Sequence, residues 1–121
     1  MKDMTTIKEI AVKDVNLDVE IADTPFKRSL GLMHREKLEP DSGMMFIFPD
    51  KKEHSFWMKD THIPLSIAYI DNDGVILNIE DMEPRSLDSI KSNGPCQYAL
   101  EVNKGWFEKN GIQAGDGVML K

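Results

Sequence analysis

The chain has 121 residues, 40% of them hydrophobic and 30% charged, with a formal net charge of −6. That length suits one domain, residues 1–121, with a core of its own. The acidic balance, without any Lys/Arg run, counts against a duplex-binding face. The lone cysteine, Cys96, excludes an intrachain disulfide, and no apolar run approaches the ~20 residues of a membrane span.

The start, MKDMTTIKEIAVKDV, is polar and lacks the apolar region of a signal peptide. As written, the chain is expected in the cytoplasm, and outside it if a leader precedes this sequence. Residues 15–22, VNLDVEIA, alternate apolar and polar side chains with the period of a half-buried strand. Asp23-Thr24-Pro25 then reads as a helix start, because Asp23 or Thr24 can cap free N–H groups and Pro25 has none to lose. The helix runs over 25–30, with Gly31 as a left-handed stop and Leu32 and Met33 folding back onto the core.

After a polar connection at 34–42 comes GMMFIFP, residues 43–49, an apolar run that predicts a strand covered on both faces. DKKE at 50–53 reads as a turn into a second strand, HSFWMK, antiparallel to the first. Pro64 permits only a strand beginning or edge. LSIAYI at 65–70 leads into Asp71-Asn72-Asp73-Gly74, a hairpin turn, with VILNIEDM as its return strand. Residues 83–95 read as a surface loop with a helical turn around 87–90. CQYALEV is a further strand, 104–110 a short helix stopped by Gly111, and Gly115-Asp116-Gly117 a tight turn before a last strand. Six to eight short strands and two short helices, joined mostly by short turns, predict an α+β protein dominated by a small, mostly antiparallel, barrel-like sheet.

Four segments in order, GLMHREKL, GMMFIF, FWMKDTHIPLSIAYID followed by Gly, and ALEVNKGWFEKNGIQAGDGV, resemble the small bacterial and archaeal proteins of the domain of unknown function 192 family. The likeness spans about Val15 to Leu120. It implies a compact, β-rich, barrel-like domain and no established activity. The family usually carries Asp after the Pro-Leu pair, where this chain has Ser66, and Asn where it has Asp60. Many relatives carry an export signal.

The densest chemistry lies in HSFWMKDTHIPLS. On a strand, Phe56 and Met58 face one way and Trp57 and Lys59 the other. With the first pair inward, Trp57, Lys59 and Thr61 make a shallow platform for a polar small molecule, sugar or peptide end. Equally, Trp57 covers the end of a barrel with Lys59 lying over it. Arg28 and Arg35 bracket Gly31-Leu32-Met33, and either suits a carboxylate or phosphate. Ser66 adds a hydroxyl to the ligand-binding candidates, but no G-x-S-x-G elbow or triad context surrounds it.

Glu101 sits inside an apolar strand. A buried Glu needs a partner, so an ion pair with Arg28 or Arg35 is the expected arrangement. If Glu101 instead opens into a cleft, its pKa rises and it becomes a candidate catalytic base, with Lys59 and Arg35 stabilising charge in a hydrolase-type reaction. The alternative is a structural protein that pairs through a strand edge. Met33, Met44, Met45 and Met58 with His34, His54 and His62 offer soft donors, but none has zinc-type spacing and Met fills cores well. No metal or cofactor is expected. A small molecule is the expected partner, with no nucleic acid and no membrane, and the oligomeric state is left open.

Overall fold

A computed structural model describes residues 5–120. Its elements in chain order are β1 (Ile7–Val12), β2 (Val15–Ala22), α1 (Pro25–Leu30), β3 (Ser42–Lys52), β4 (Ser55–Phe56), β5 (Leu65–Ile70), β6 (Ile76–Met82), β7 (Ile90–Lys91), β8 (Cys96–Asn103), α2 (Trp106–Lys109) and β9 (Val118–Leu120). Seven strands form one sheet in the order β6-β5-β8-β3-β2-β1-β9, while β4 and β7 form a separate ribbon. Every pairing is antiparallel except β2–β3. The α+β class with a mostly antiparallel, barrel-like sheet is therefore what the chain adopts.

The sheet curls until its two edge strands approach each other. Val75 and Gly117 form a bridge, and the Val118 N–H donates to the Gly74 carbonyl at 2.7 Å. The result is a half-barrel. The parallel β2–β3 pair needs a crossover, and residues 23–41, which contain α1, supply it.

Two cores lie on opposite faces, as strand alternation requires. Ile10 and Val12 of β1 join Met45 of β3, Leu100 and Val102 of β8, and Ile70 and Ile76 from the far side of the sheet in one cluster. Residues from both ends of the sheet meet there, so this is the face around which the sheet curls. Trp106 and Phe107 of α2 plug it, and the Trp106 indole N–H donates to the Asp41 carboxylate at 2.9 Å. The opposite face carries Met44 and Phe46 of β3, Leu65, Ile67 and Tyr69 of β5, and Ala99 of β8. Leu32, Met58 and Ile63 cover it from the connecting segments.

Several details depart from the sequence reading. Nine strands form among the described residues, because Ile7–Val12, within the polar start, is also a strand. Only Ile10 and Val12 of it are buried, which suffices next to a sheet edge. β3 continues through Asp50 and Lys51 to Lys52, so 50–53 is mostly strand. Its register against β8 shifts between Ile47 and Lys52, around Pro49, which has no N–H for the ladder. HSFWMK contributes only Ser55–Phe56 as a strand, and it pairs with Ile90–Lys91 rather than with β3. That same pairing replaces the helical turn expected around 87–90.

Candidate functional site

The crossover helix α1 roofs the second face. Thr24 caps it, its hydroxyl accepting from the Lys27 N–H at 3.1 Å, and Pro25 occupies the first turn. Gly31 ends it with φ of +49°, and its N–H donates to the Lys27 carbonyl at 2.9 Å. A Cβ at Gly31 would stand 3.4 Å from the Phe46 ring, so the chain passes close over that aromatic.

The Trp57 segment faces α1 and is pinned from three sides. The Met58 N–H donates to the Ser86 carbonyl at 2.9 Å, and the Arg85 N–H to the Thr61 carbonyl at 2.9 Å. A turn from Met58 to Thr61 closes with a 3.0 Å bond, and the Asp60 carbonyl accepts from the His34 N–H at 2.9 Å. Asp60 sits at φ of +54°. Asn and Asp are the non-glycine residues that tolerate this region best, so Asp in place of the usual Asn keeps the turn.

Between α1, β3 and this segment lies a cavity of about 370 Å³. Phe46, Phe48 and Phe56 wall it, with Phe56 edge-on to Phe46 at 4.7 Å and to Phe48 at 5.9 Å. Arg28, Leu30 and Trp57 contribute from the more exposed side, and Glu101 reaches it from β8.

Glu101 decides the chemistry of this cavity. Its residue is 4% exposed, and its register partners are Met44 on β3 and Ile67 on β5, both in the apolar cluster. Among the described residues its carboxyl has no hydrogen-bond or ion-pair partner in the protein, and since no side-chain oxygen or nitrogen among them is both sealed from solvent and unpartnered, its oxygens reach the cavity. Burial alone raises its pKa from the ordinary 4.5 to about 8. Tyr69, also facing this way, is pushed upward by burial and then by the Glu101 charge; its hydroxyl donates to the Ile90 carbonyl at 2.6 Å.

The expected ion pair between Glu101 and an arginine does not form. Arg35 instead pairs with Glu20 in a two-pronged bridge of 2.5 and 2.8 Å, outside the cavity. Arg28 lines the cavity, yet its guanidinium donates to the Ile47 carbonyl at 3.0 Å and lies 5.8 Å over the Phe48 ring. Each guanidinium found a partner at less desolvation cost than a carboxylate buried in an apolar face.

Met58 turns inward and Trp57 and Lys59 outward, as expected, although past Phe56 the segment is irregular chain and a turn rather than a strand. Met58 is buried, Trp57 is 48% exposed, and the Lys59 ammonium lies 5.4 Å over the indole. Lys59 is not part of the cavity wall. Thr61 is, although its hydroxyl donates to the Lys59 carbonyl at 3.1 Å. Ser66 faces away: with Ala68 and Ile70 it belongs to the curled-in side of β5, the parity opposite to Ile67. Its hydroxyl donates to Asp81 at 2.7 Å and accepts from the Gly105 N–H at 3.1 Å, which fixes the entry to α2.

One cavity thus brings together Arg28, Trp57, Thr61 and Glu101, and leaves Arg35, Lys59 and Ser66 elsewhere. Neither Lys59 nor Arg35 lines the cavity that Glu101 reaches. Sequence reasoning missed the phenylalanine walls, although the two-residue spacing of Phe46 and Phe48 was the available signal. Among the described residues no group of three or more His, Cys, Asp or Glu side chains is placed to hold a metal ion. Cys96 is fully buried, and burial raises its thiol pKa, which opposes a thiolate nucleophile. No described helix is long and apolar enough to cross a membrane.

No curated protein matches the chain. Two of the crystal structures similar to it are the following. One, from Sinorhizobium meliloti 1021, is described as "a putative transcription regulator"; it shares 32% identity, with 99% of this chain and 98% of that one covered and a TM-score of 0.95. The other, a protein of unknown function from Novosphingobium aromaticivorans DSM 12444, shares 29% identity, with 94% and 84% covered and a TM-score of 0.85. The model of the DUF192 family, described as "Uncharacterized ACR", matches residues 7–120, so the likeness begins at β1 rather than at Val15. The chain belongs to this DUF192 family, an uncharacterised one.

Proposed function

We propose that the protein is a small-molecule-binding module whose site is the aromatic cavity under α1, with Glu101 as its polar anchor. One observation carries this reading: a carboxyl buried in an apolar face without a protein partner opens into a hollow large enough for a ligand. Buried polar groups in folded proteins are almost always partnered, and the exceptions concentrate at functional sites. The volume lies at the lower end of ligand pockets, and mostly apolar walls with a few polar groups, here Arg28, Ser29, Ser55, Thr61 and Glu101, are their usual composition. The net charge of −6 counts against duplex DNA as the partner.

A thermal-shift screen of metabolites, sugars and metal ions tests the reading, since a ligand that prefers the folded state raises the melting temperature. A hit that shifts the wild type and not Trp57→Ala supports it. A library in which no compound shifts the wild type refutes it. The same carboxyl, with its pKa near 8, favours one second reading, a general base in a hydrolase-type reaction. Turnover of a bound compound, abolished by Glu101→Gln, would select that alternative.

A further inference from the structure

We propose that the ligand of this cavity is a small organic ammonium ion with an apolar or aromatic body, its cationic group set against the Glu101 carboxylate between the faces and edges of Phe46, Phe48, Phe56 and Trp57. The proposal rests on the cavity being a binding site and names the class of compound that it takes.

The argument is one of elimination by charge and hydrogen bonding. A sugar brings several hydroxyls that each lose water on entry, and the wall offers them few partners. The Thr61 hydroxyl is engaged with the Lys59 carbonyl and the Arg28 guanidinium with the Ile47 carbonyl, and apart from Ser29, Ser55 and Glu101 the remaining lining residues are apolar or aromatic. An anion would hold Glu101 in its protonated form and find there a single O–H donor, while the nearby Arg28 guanidinium is already engaged by the Ile47 carbonyl. A cation supplies what Glu101 lacks, an opposite charge and an N–H donor. Aromatic rings add attraction for the same charge. The fold already uses this wall in that way on its more exposed side, where the Arg28 guanidinium lies over Phe48. Arg28 is held there by the Ile47 carbonyl rather than by Glu101.

A proton accounting gives the proposal a signature. Near neutral pH the empty site holds a protonated Glu101, and an alkylammonium stays protonated up to ~10, as lysine does. Forming the ion pair therefore releases the Glu101 proton to the buffer. The other charged or titratable groups near this region are Arg28 on α1, His54, whose ring stacks on Phe48, Cys96 on β8, whose thiol pKa burial raises, and Tyr69 on β5, which burial and the Glu101 charge keep neutral. Affinity for an ammonium probe should thus rise by close to tenfold per pH unit from about 6 to 8, then level off.

Titration calorimetry of the full chain with phenethylammonium chloride, 2-phenylethanol and 3-phenylpropanoate tests this, run in two buffers of different ionisation enthalpy. The expected result is binding of the ammonium probe alone, release of about one proton per site at pH 7, and at least ~10-fold weaker binding to Glu101→Gln. Glu101→Gln keeps size and shape, and its melting curve reports whether it folds. Binding of the alcohol or the carboxylate as tightly as the ammonium overturns the inference while leaving a ligand site in place. Ammonium binding that Glu101→Gln does not weaken, or that releases no proton, overturns it too. If neither the three probes nor any compound of the thermal-shift library binds, the site reading itself falls.

Discussion

Replacing Glu101 by Gln should flatten the dependence of stability on pH. In the folded protein the carboxyl holds its proton up to about pH 8, whereas in the unfolded chain it loses it near 4.5. Between these values the folded state binds one more proton than the unfolded state, so stability falls as pH rises. The contribution is fully present below the unfolded value of 4.5 and is lost as pH climbs through the folded value of about 8. At ~1.4 kcal/mol per pH unit between the two values, the loss approaches about 5 kcal/mol. Water entering the open cavity lowers that figure. A loss of even half this size is a large fraction of the 5–15 kcal/mol typical of a domain.

Glu101→Gln carries no charge at any pH and introduces a roughly constant offset for its own hydrogen bonding. The difference between wild type and variant therefore isolates this group from every other carboxylate. Urea denaturation at half-unit steps from pH 4 to 9 is the measurement. The wild type should lose stability relative to Glu101→Gln across about pH 5–8 and run parallel to it outside that range. Parallel curves throughout would mean that the folded carboxyl titrates at its ordinary value, and the account of an unpartnered, desolvated Glu101 would be wrong.

Gly43→Ala should cost about 1–3 kcal/mol in the same assay, because its Cβ would stand 2.5 Å from the Glu101 backbone carbonyl and force β3 away from β8. Ser66→Asp, which introduces the residue usual in the family, should destabilise by about 2 kcal/mol by setting a buried carboxylate against Asp81. Adding Asp81→Asn should restore most of that loss, and a double variant no more stable than the single one would contradict the pairing. Trp57→Ala should change stability by about 1 kcal/mol or less, since the ring is half exposed and its clearest partner is the Lys59 ammonium. Unfolding of that variant at room temperature would show that the indole holds the fold together.

Local rules made much of this architecture legible. The alternation of VNLDVEIA, the Thr24-Pro25 start of α1, its glycine stop and the Asp71–Gly74 hairpin each rest on backbone chemistry within a few residues. The pairings that failed depend on distant chain. Nothing near Phe56 says that its strand will meet Ile90 rather than β3, and nothing near Ile7 announces the sheet edge that recruits it. The site divides along the same line. Trp57 and Lys59 do lie together, though in irregular chain and a turn after β4 rather than along a strand, and parity along β5, with Ser66 out of step with Ile67, would have removed Ser66 had the sheet faces been known.

Glu101 shows where parity stops being enough. Its alternation with Leu100 and Val102 puts it on the face opposite theirs, but whether an arginine follows it there depends on how the crossover after β2 packs. That crossover sends Arg35 to Glu20 on the neighbouring strand and turns Arg28 towards β3's own backbone. The carboxyl is then left to the cavity. A leucine at this position would pack against Met44 and Ile67 without any charge to desolvate, and by the usual balance of buried charges it would be neutral or stabilising. Retaining an ionisable group where an apolar one would serve the fold better is the pattern of a site that gives up stability for binding or chemistry. The roof above it is built to match. α1 has no fully buried residue and leaves Leu30 exposed on the same cavity as Trp57, so a few side chains, rather than a packed layer, separate Glu101 from solvent.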